Sequence, residues 1–142
     1  MDLELSGDQE LFRDTTRQFL AAKAPVTTVR TWADDPAGFD PDWWRRGAEL
    51  GWTSMLVPEG RGGGNISGAG LCDLALVLEE MGALVSPGPI IPVNVVAQAL
   101  GSDGTEEQAT RVLPGLLDGS DIGAWCFAEP GHPPVADSMD LS

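Results

Sequence analysis

Apolar residues recur along this chain at three- and four-residue spacings, which predicts helices over most of its length. The first helix opens at Ser6, three residues before Gln9, the spacing of a capping box. Leu11, Phe12, Thr15, Phe19, Leu20 and Ala22 mark its apolar face, Arg13, Asp14, Arg17 and Gln18 fall mostly opposite, and Pro25 sets its end. Residues 33–38 read as a loop. Asp40-Pro41 then supplies a cap and a proline at the first helical position, opening a short helix to Leu50. Its Trp43, Trp44, Gly47 and Leu50, with Trp52 just beyond, demand burial against a neighbour.

After a short apolar stretch, Thr53 to Val57, comes the turn-rich run PEGRGGGN, residues 58–65. It lacks the Lys followed by Ser or Thr of a phosphate-binding loop, so its glycines are expected to serve positive-φ backbone positions. Leu71, Leu74, Ala75, Leu78, Met81 and Gly82 form the cleanest helical stripe, predicting a helix from about Gly70 to Leu84. Adjacent Glu79 and Glu80 point about 100° apart and are expected in solvent rather than as a facing catalytic pair. Ser86-Pro87-Gly88-Pro89 breaks that helix, and a short apolar one follows from about Pro92 to Leu100. Thr105 and Gln108 repeat the capping-box spacing, and Glu106 and Glu107 in the first turn suit the helix dipole. Pro114 predicts a kink or an early end.

Over Asp121 to Glu129 the period changes to two: Ile122, Ala124, Cys126 and Ala128 alternate with Gly123, Trp125 and Phe127. That predicts a strand covered on both faces, yet no second strand in the sequence is available to pair with it. The pattern defines an all-α fold of about five helices with one short C-terminal β segment.

At 142 residues the chain is the size of one domain. Its 22 acidic and 8 basic residues leave a net charge of -14, which argues against nucleic acid or an anionic membrane as partner. Cys72 and Cys126 stand in apolar runs without C-x-x-C spacing and are expected to be buried, reduced thiols. The acidic N-terminus does not read as a signal peptide, and no apolar run reaches the roughly 20 residues of a membrane span, so the expected location is the cytoplasm. His132, the single histidine, lies between Gly131 and Pro133 with no second ligand at metal spacing, and is expected to be a solvated loop residue. No metal site is expected.

The order of these features carries a resemblance. "LGWTSMLVPEGRGGG", "LALVLEEMG", "SPGPIIP", "LGSDGTEEQATRVLPGLLDGS" and "IGAWCFAEPG" follow one another as in the N-terminal helical domain of the flavin-dependent acyl-CoA dehydrogenases, which the chain resembles over about residues 6–131. The resemblance implies an orthogonal helical bundle over residues 1–120. It makes residues 121–142 the first strand of an absent middle β domain, with a tail. It further implies oxidation of an acyl-CoA thioester with FAD as hydride acceptor, in a homo- or hetero-oligomer. The family's catalytic base belongs to its C-terminal domain, so no catalytic residue is assigned in this chain.

Trp125, Phe127 and Ala128 match the strand that touches flavin, with Ala128 where the family has Thr. Pro134 stands where the family has a serine, and proline has no donor to offer. Ile91, Val93 and Val96 fall in the region that lines the acyl pocket. The resemblance therefore implies a chain inactive on its own. A non-catalytic helical interaction module, or a partner subunit that has lost its cofactor contacts, is the alternative.

Overall fold

A computed structural model describes residues 4–126. It contains six α-helices: α1 (Gly7–Lys23), α2 (Val26–Trp32), α3 (Pro41–Glu49), α4 (Gly70–Ala83), α5 (Ile90–Ser102) and α6 (Glu106–Leu117), with a 3₁₀ turn at Glu59–Arg61. The predicted all-α class holds, with one more helix than the pattern implied. Both capping boxes form: Ser6 with Gln9 starts α1, and Thr105 with Gln108 starts α6. Pro25 ends α1 as expected but also caps α2, a seven-residue helix too short to show periodicity. Pro114 does not stop α6, which continues to Leu117.

The core is built around Trp52, which is fully buried. Its ring meets Phe19 of α1 edge-on at 5.6 Å and Trp43 of α3 at 5.8 Å. Its indole N–H donates to Thr16 of α1 at 3.4 Å, and its carbonyl accepts from Asn94 of α5 at 2.9 Å. One residue thus ties three helices together, its side chain joining α1 and α3 through a large apolar face and one polar handle and its backbone carbonyl holding α5. Trp43, Trp44, Val77, Val93, Ala97, Leu113 and Leu116 fill the space around it.

Two glycines let backbone approach backbone. A Cβ at Gly63 would collide with the Val57 carbonyl, and one at Gly70 with the Met55 carbonyl, so the loop and the start of α4 lie flat on residues 55–57. Of the loop's glycines Gly62 alone takes the positive φ, 86°, that the run was expected to need, and Gly68, just past the loop, holds 80°.

The apolar faces differ from the pattern in α1 and α4. On α1 the buried positions are Gln9, Thr16 and Leu20, while Leu11, Thr15 and Ala22 face solvent. On α4 the buried positions are Asp73, Leu74, Leu76, Val77, Glu80 and Met81. Glu80, expected in solvent, is inside, and Leu71, Ala75 and Gly82, expected inside, are exposed. Cys72 and Cys126 are both free and exposed rather than buried, Cys72 because it sits on this outward side of α4. Residues 122–126 have no strand partner among the described residues, and the rest of the expected β segment lies outside them.

The glycine contacts make a prediction. Gly63→Ala should lose about 1–3 kcal/mol of stability in urea unfolding, as overpacked sites do. Gly64→Ala, where an added Cβ meets nothing within 4 Å, should stay near wild type.

Candidate functional site

The residues expected at the acyl pocket lie on α5 but do not share a face. Val93 is fully buried in the core, whereas Ile91 is 59% exposed and Val96 half-buried. Steps of about 100° explain the split: Ile91 and Val93 differ by roughly 200°. Val95, one turn from Ile91 and also part-exposed, shares its outward face; sequence reasoning missed it because Asn94, the polar residue that would be read as marking the outer side, is buried and bonded to the Trp52 and Ile90 carbonyls. Val96 instead packs under the C-terminal segment, where a Cβ at Gly123 would lie 3.1 Å from its own Cβ.

Of the residues expected at flavin, Trp125 alone is described. Its side chain is 53% exposed, on a segment without a ladder partner among the described residues; Phe127 and Ala128, like His132 and Pro134, lie outside them. The described residues therefore do not by themselves fit a flavin, and no redox step is derived from them. A surface cavity of about 290 Å³ lies between α1, Leu50 and Ile66, with no α5 residue among those that line it.

The strongest electrostatics belong to the inner face of α4. The Asp73 carboxylate is fully buried and accepts from Gln9 Nε2 (2.8 Å), Ile66 N (2.8 Å), Ser67 N (2.9 Å) and Ser67 Oγ (2.8 Å). Burial alone would push its pKa up, but the bonds from Gln9, Ser67 and Ile66 outweigh that and hold it below the ordinary carboxylate value. Two turns along, Glu80 receives a two-pronged bond from Arg17, at 2.8 Å to Nε and 2.6 Å to Nη2. That bond and the Glu80 charge raise the Arg17 pKa. Since Gln9 meets Asp73 and Arg17 meets Glu80, α1 and α4 run in the same direction. This arrangement is a clasp: Asp73 accepts four hydrogen bonds and Glu80 two, and together they position α1 against α4.

The bundle geometry and the sequence agree with one family. Residues 6–120 match the model of "Acyl-CoA dehydrogenase, N-terminal domain", and the chain belongs to the acyl-CoA dehydrogenase family. It is 33% identical over 124 residues to acyl-CoA dehydrogenase IpdE2 of Mycolicibacterium smegmatis, covering 87% of this chain and 38% of that protein. It is 30% identical over 132 residues to acryloyl-CoA reductase (NADH) of Anaerotignum propionicum, covering 92% and 32% respectively. A solved variant of the "Tcur3481-Tcur3483 steroid ACAD" superposes with a TM-score of 0.74 at 32% identity, over 87% of this chain and 33% of that one. The chain spans about a third of the length of the curated relatives it matches. Among the described residues no helix is long and apolar enough to cross a membrane.

The clasp fixes a pH dependence. Asp73 has a lower pKa folded than unfolded, so its contribution is complete above the unfolded value, about 4, and is lost as pH falls through the folded one. Asp73→Asn should lower stability at pH 7 and flatten the acid limb of a urea-stability profile measured from pH 7 downward. A variant whose acid limb parallels wild type would contradict this.

Proposed function

We propose that these residues form the helical N-terminal wall of a cytoplasmic flavoenzyme that dehydrogenates acyl-CoA thioesters at the α,β position, and that the chain does no chemistry alone. The observation that carries this reading is the family match itself, which spans one named domain and covers residues 6–120. The base and most of the flavin site belong, on this reading, to polypeptide beyond the described residues, supplied within a homo- or hetero-oligomer. The solved neighbour is named a steroid acyl-CoA dehydrogenase, which supports a lipid or steroid side chain as the acyl group.

Within the wall, Ile91 touches the acyl chain from the outward face of α5 that it shares with Val95, and Val93 supports that helix from the core. Val96 reaches the pocket only through the C-terminal segment that packs on it. Trp125, with Phe127 and Ala128, borders the flavin once the rest of the site is in place.

Two measurements test the reading. The purified 142-residue chain, mixed with FAD and gel-filtered, should show no absorbance band between about 350 and 500 nm; retained flavin would overturn the claim that these residues do no flavin chemistry alone. Ile91→Asp should change the stability of the free chain by no more than about 0.5 kcal/mol, as exposed substitutions do, whereas Val93→Ala should cost about 1–3 kcal/mol. Equal losses in urea unfolding would remove the distinction between lining and support.

A further inference from the structure

In a chain of net charge -14, each cation has carboxylates to choose from. Arg13, Arg17, Arg45 and Arg61 all lie against one. Lys23, in the last turn of α1, and Arg46 of α3 do not: neither forms an ion pair among the described residues. Both line the same cavity, of about 210 Å³, together with Asp40, Asp42 and Trp43.

The two carboxylates of that cavity are engaged elsewhere. Asp40 caps α3, its Oδ1 accepting from the Asp42 N–H at 2.8 Å, and Asp42 accepts from Arg45. A third donor is also unmatched. Trp43 is 3% exposed, and its indole N–H has no acceptor, whereas the equivalent group of Trp52 reaches Thr16. The ring turns its Cζ3 and Cη2 edge to Gly88, where an added Cβ would lie 3.2 and 3.6 Å away, so the nitrogen lies on the edge turned from Gly88, and it belongs to a side chain that lines the cavity. Of the buried polar side-chain atoms without a hydrogen-bond partner among the described residues, Trp43 Nε1 alone belongs to this lining. A buried donor without an acceptor is costly and calls for an explanation.

An ammonium, a guanidinium and an indole N–H offer donors and no acceptor, so the group they suit is an anion rich in acceptors. Two cations match a dianion, and phosphate carries about -1.5 to -2 near pH 7, with oxygens in a tetrahedron that can meet donors from three directions. A carboxylate brings one charge and two oxygens in a plane. The volume of about 210 Å³ is several times the ~30 Å³ of one water, which suits a group of five heavy atoms. Nucleic acid is a different case, because its many phosphates would meet the field of the whole acidic chain.

We propose that Lys23, Arg46 and the indole N–H of Trp43 form a binding site for a single phosphate group, free or as the monoester of a small molecule. The N–H is shut off from solvent, so the ion reaches it as the exposed, flexible Lys23 and Arg46 side chains turn their charged ends onto it. Binding there joins the end of α1 to α3 and stabilises the folded chain by mass action. The site is independent of the flavoenzyme reading and uses none of the residues assigned to flavin or acyl chain.

The test titrates the isotope-labelled 142-residue chain with sodium phosphate at constant ionic strength and follows the assigned Trp43 indole N–H resonance by NMR. The expected result is a saturable shift with a Kd on the order of 1 mM. Lys23→Gln combined with Arg46→Gln should weaken binding at least tenfold while the Tm without phosphate stays near wild type, since both side chains are exposed. Arg111→Gln, which removes an exposed cation outside the cavity, should leave the Kd unchanged. Methyl phosphate separates the two sources: tighter binding than inorganic phosphate assigns the site to a monoester, weaker or equal binding to the free ion. A resonance that stays still, that moves as far with chloride or acetate, or that saturates at the wild-type Kd in the double variant would each overturn the proposal. So would a loss in Arg111→Gln equal to that of the double variant, which would reduce the effect to overall charge.

Discussion

A carboxylate taken out of water must be given donors, and α4 takes in two. Asp73 and Glu80 lie on its inner face and are satisfied by Gln9 and Arg17 of α1 and by the backbone of residues 66 and 67. That requirement sets the direction of α1 and pins the glycine loop. It also fixes the rotation of α4 about its own axis. Once Asp73 must face inward, the side opposite, with Leu71, Ala75 and Gly82, must face out.

The same constraint explains what could be read in the sequence. Caps and breakers were legible because their chemistry is local: Ser6 with Gln9, Thr105 with Gln108, and Asp40-Pro41 start helices where they should. The tryptophan cluster was legible because so much apolar area has nowhere else to go. The inner face of α4 was not, since a period count scores Asp73 and Glu80 as solvent residues and knows nothing of partners 63 and 64 positions away. Two apolar sides on one helix give a count no reason to prefer either. The acyl-pocket residues on α5 failed to converge for a related reason: its polar Asn94 faces inward, bonded to the Trp52 carbonyl 42 positions away, and so misleads any count that puts polar residues outside.

Function was legible only as family. The order of motifs pointed to the acyl-CoA dehydrogenases, and the match over residues 6–120 agrees. Beyond that, the helical bundle holds apolar surface on α4 and α5 and an indole at Trp125, but its best-organised polar groups fasten helix to helix.

The clasp also bears on the order in which the chain can become structured during synthesis. Arg17 leaves the ribosome 63 residues before Glu80, and Gln9 precedes Asp73 by 64. Until Trp52 emerges, 36 residues after Thr16, α1 has a capping box but no packing partner, at a length only a little above that at which isolated helices are marginal in water. Its polar inner positions serve it well there, because a nascent helix presenting Gln9, Arg13 and Arg17 to water offers less sticky surface than one lined with leucine.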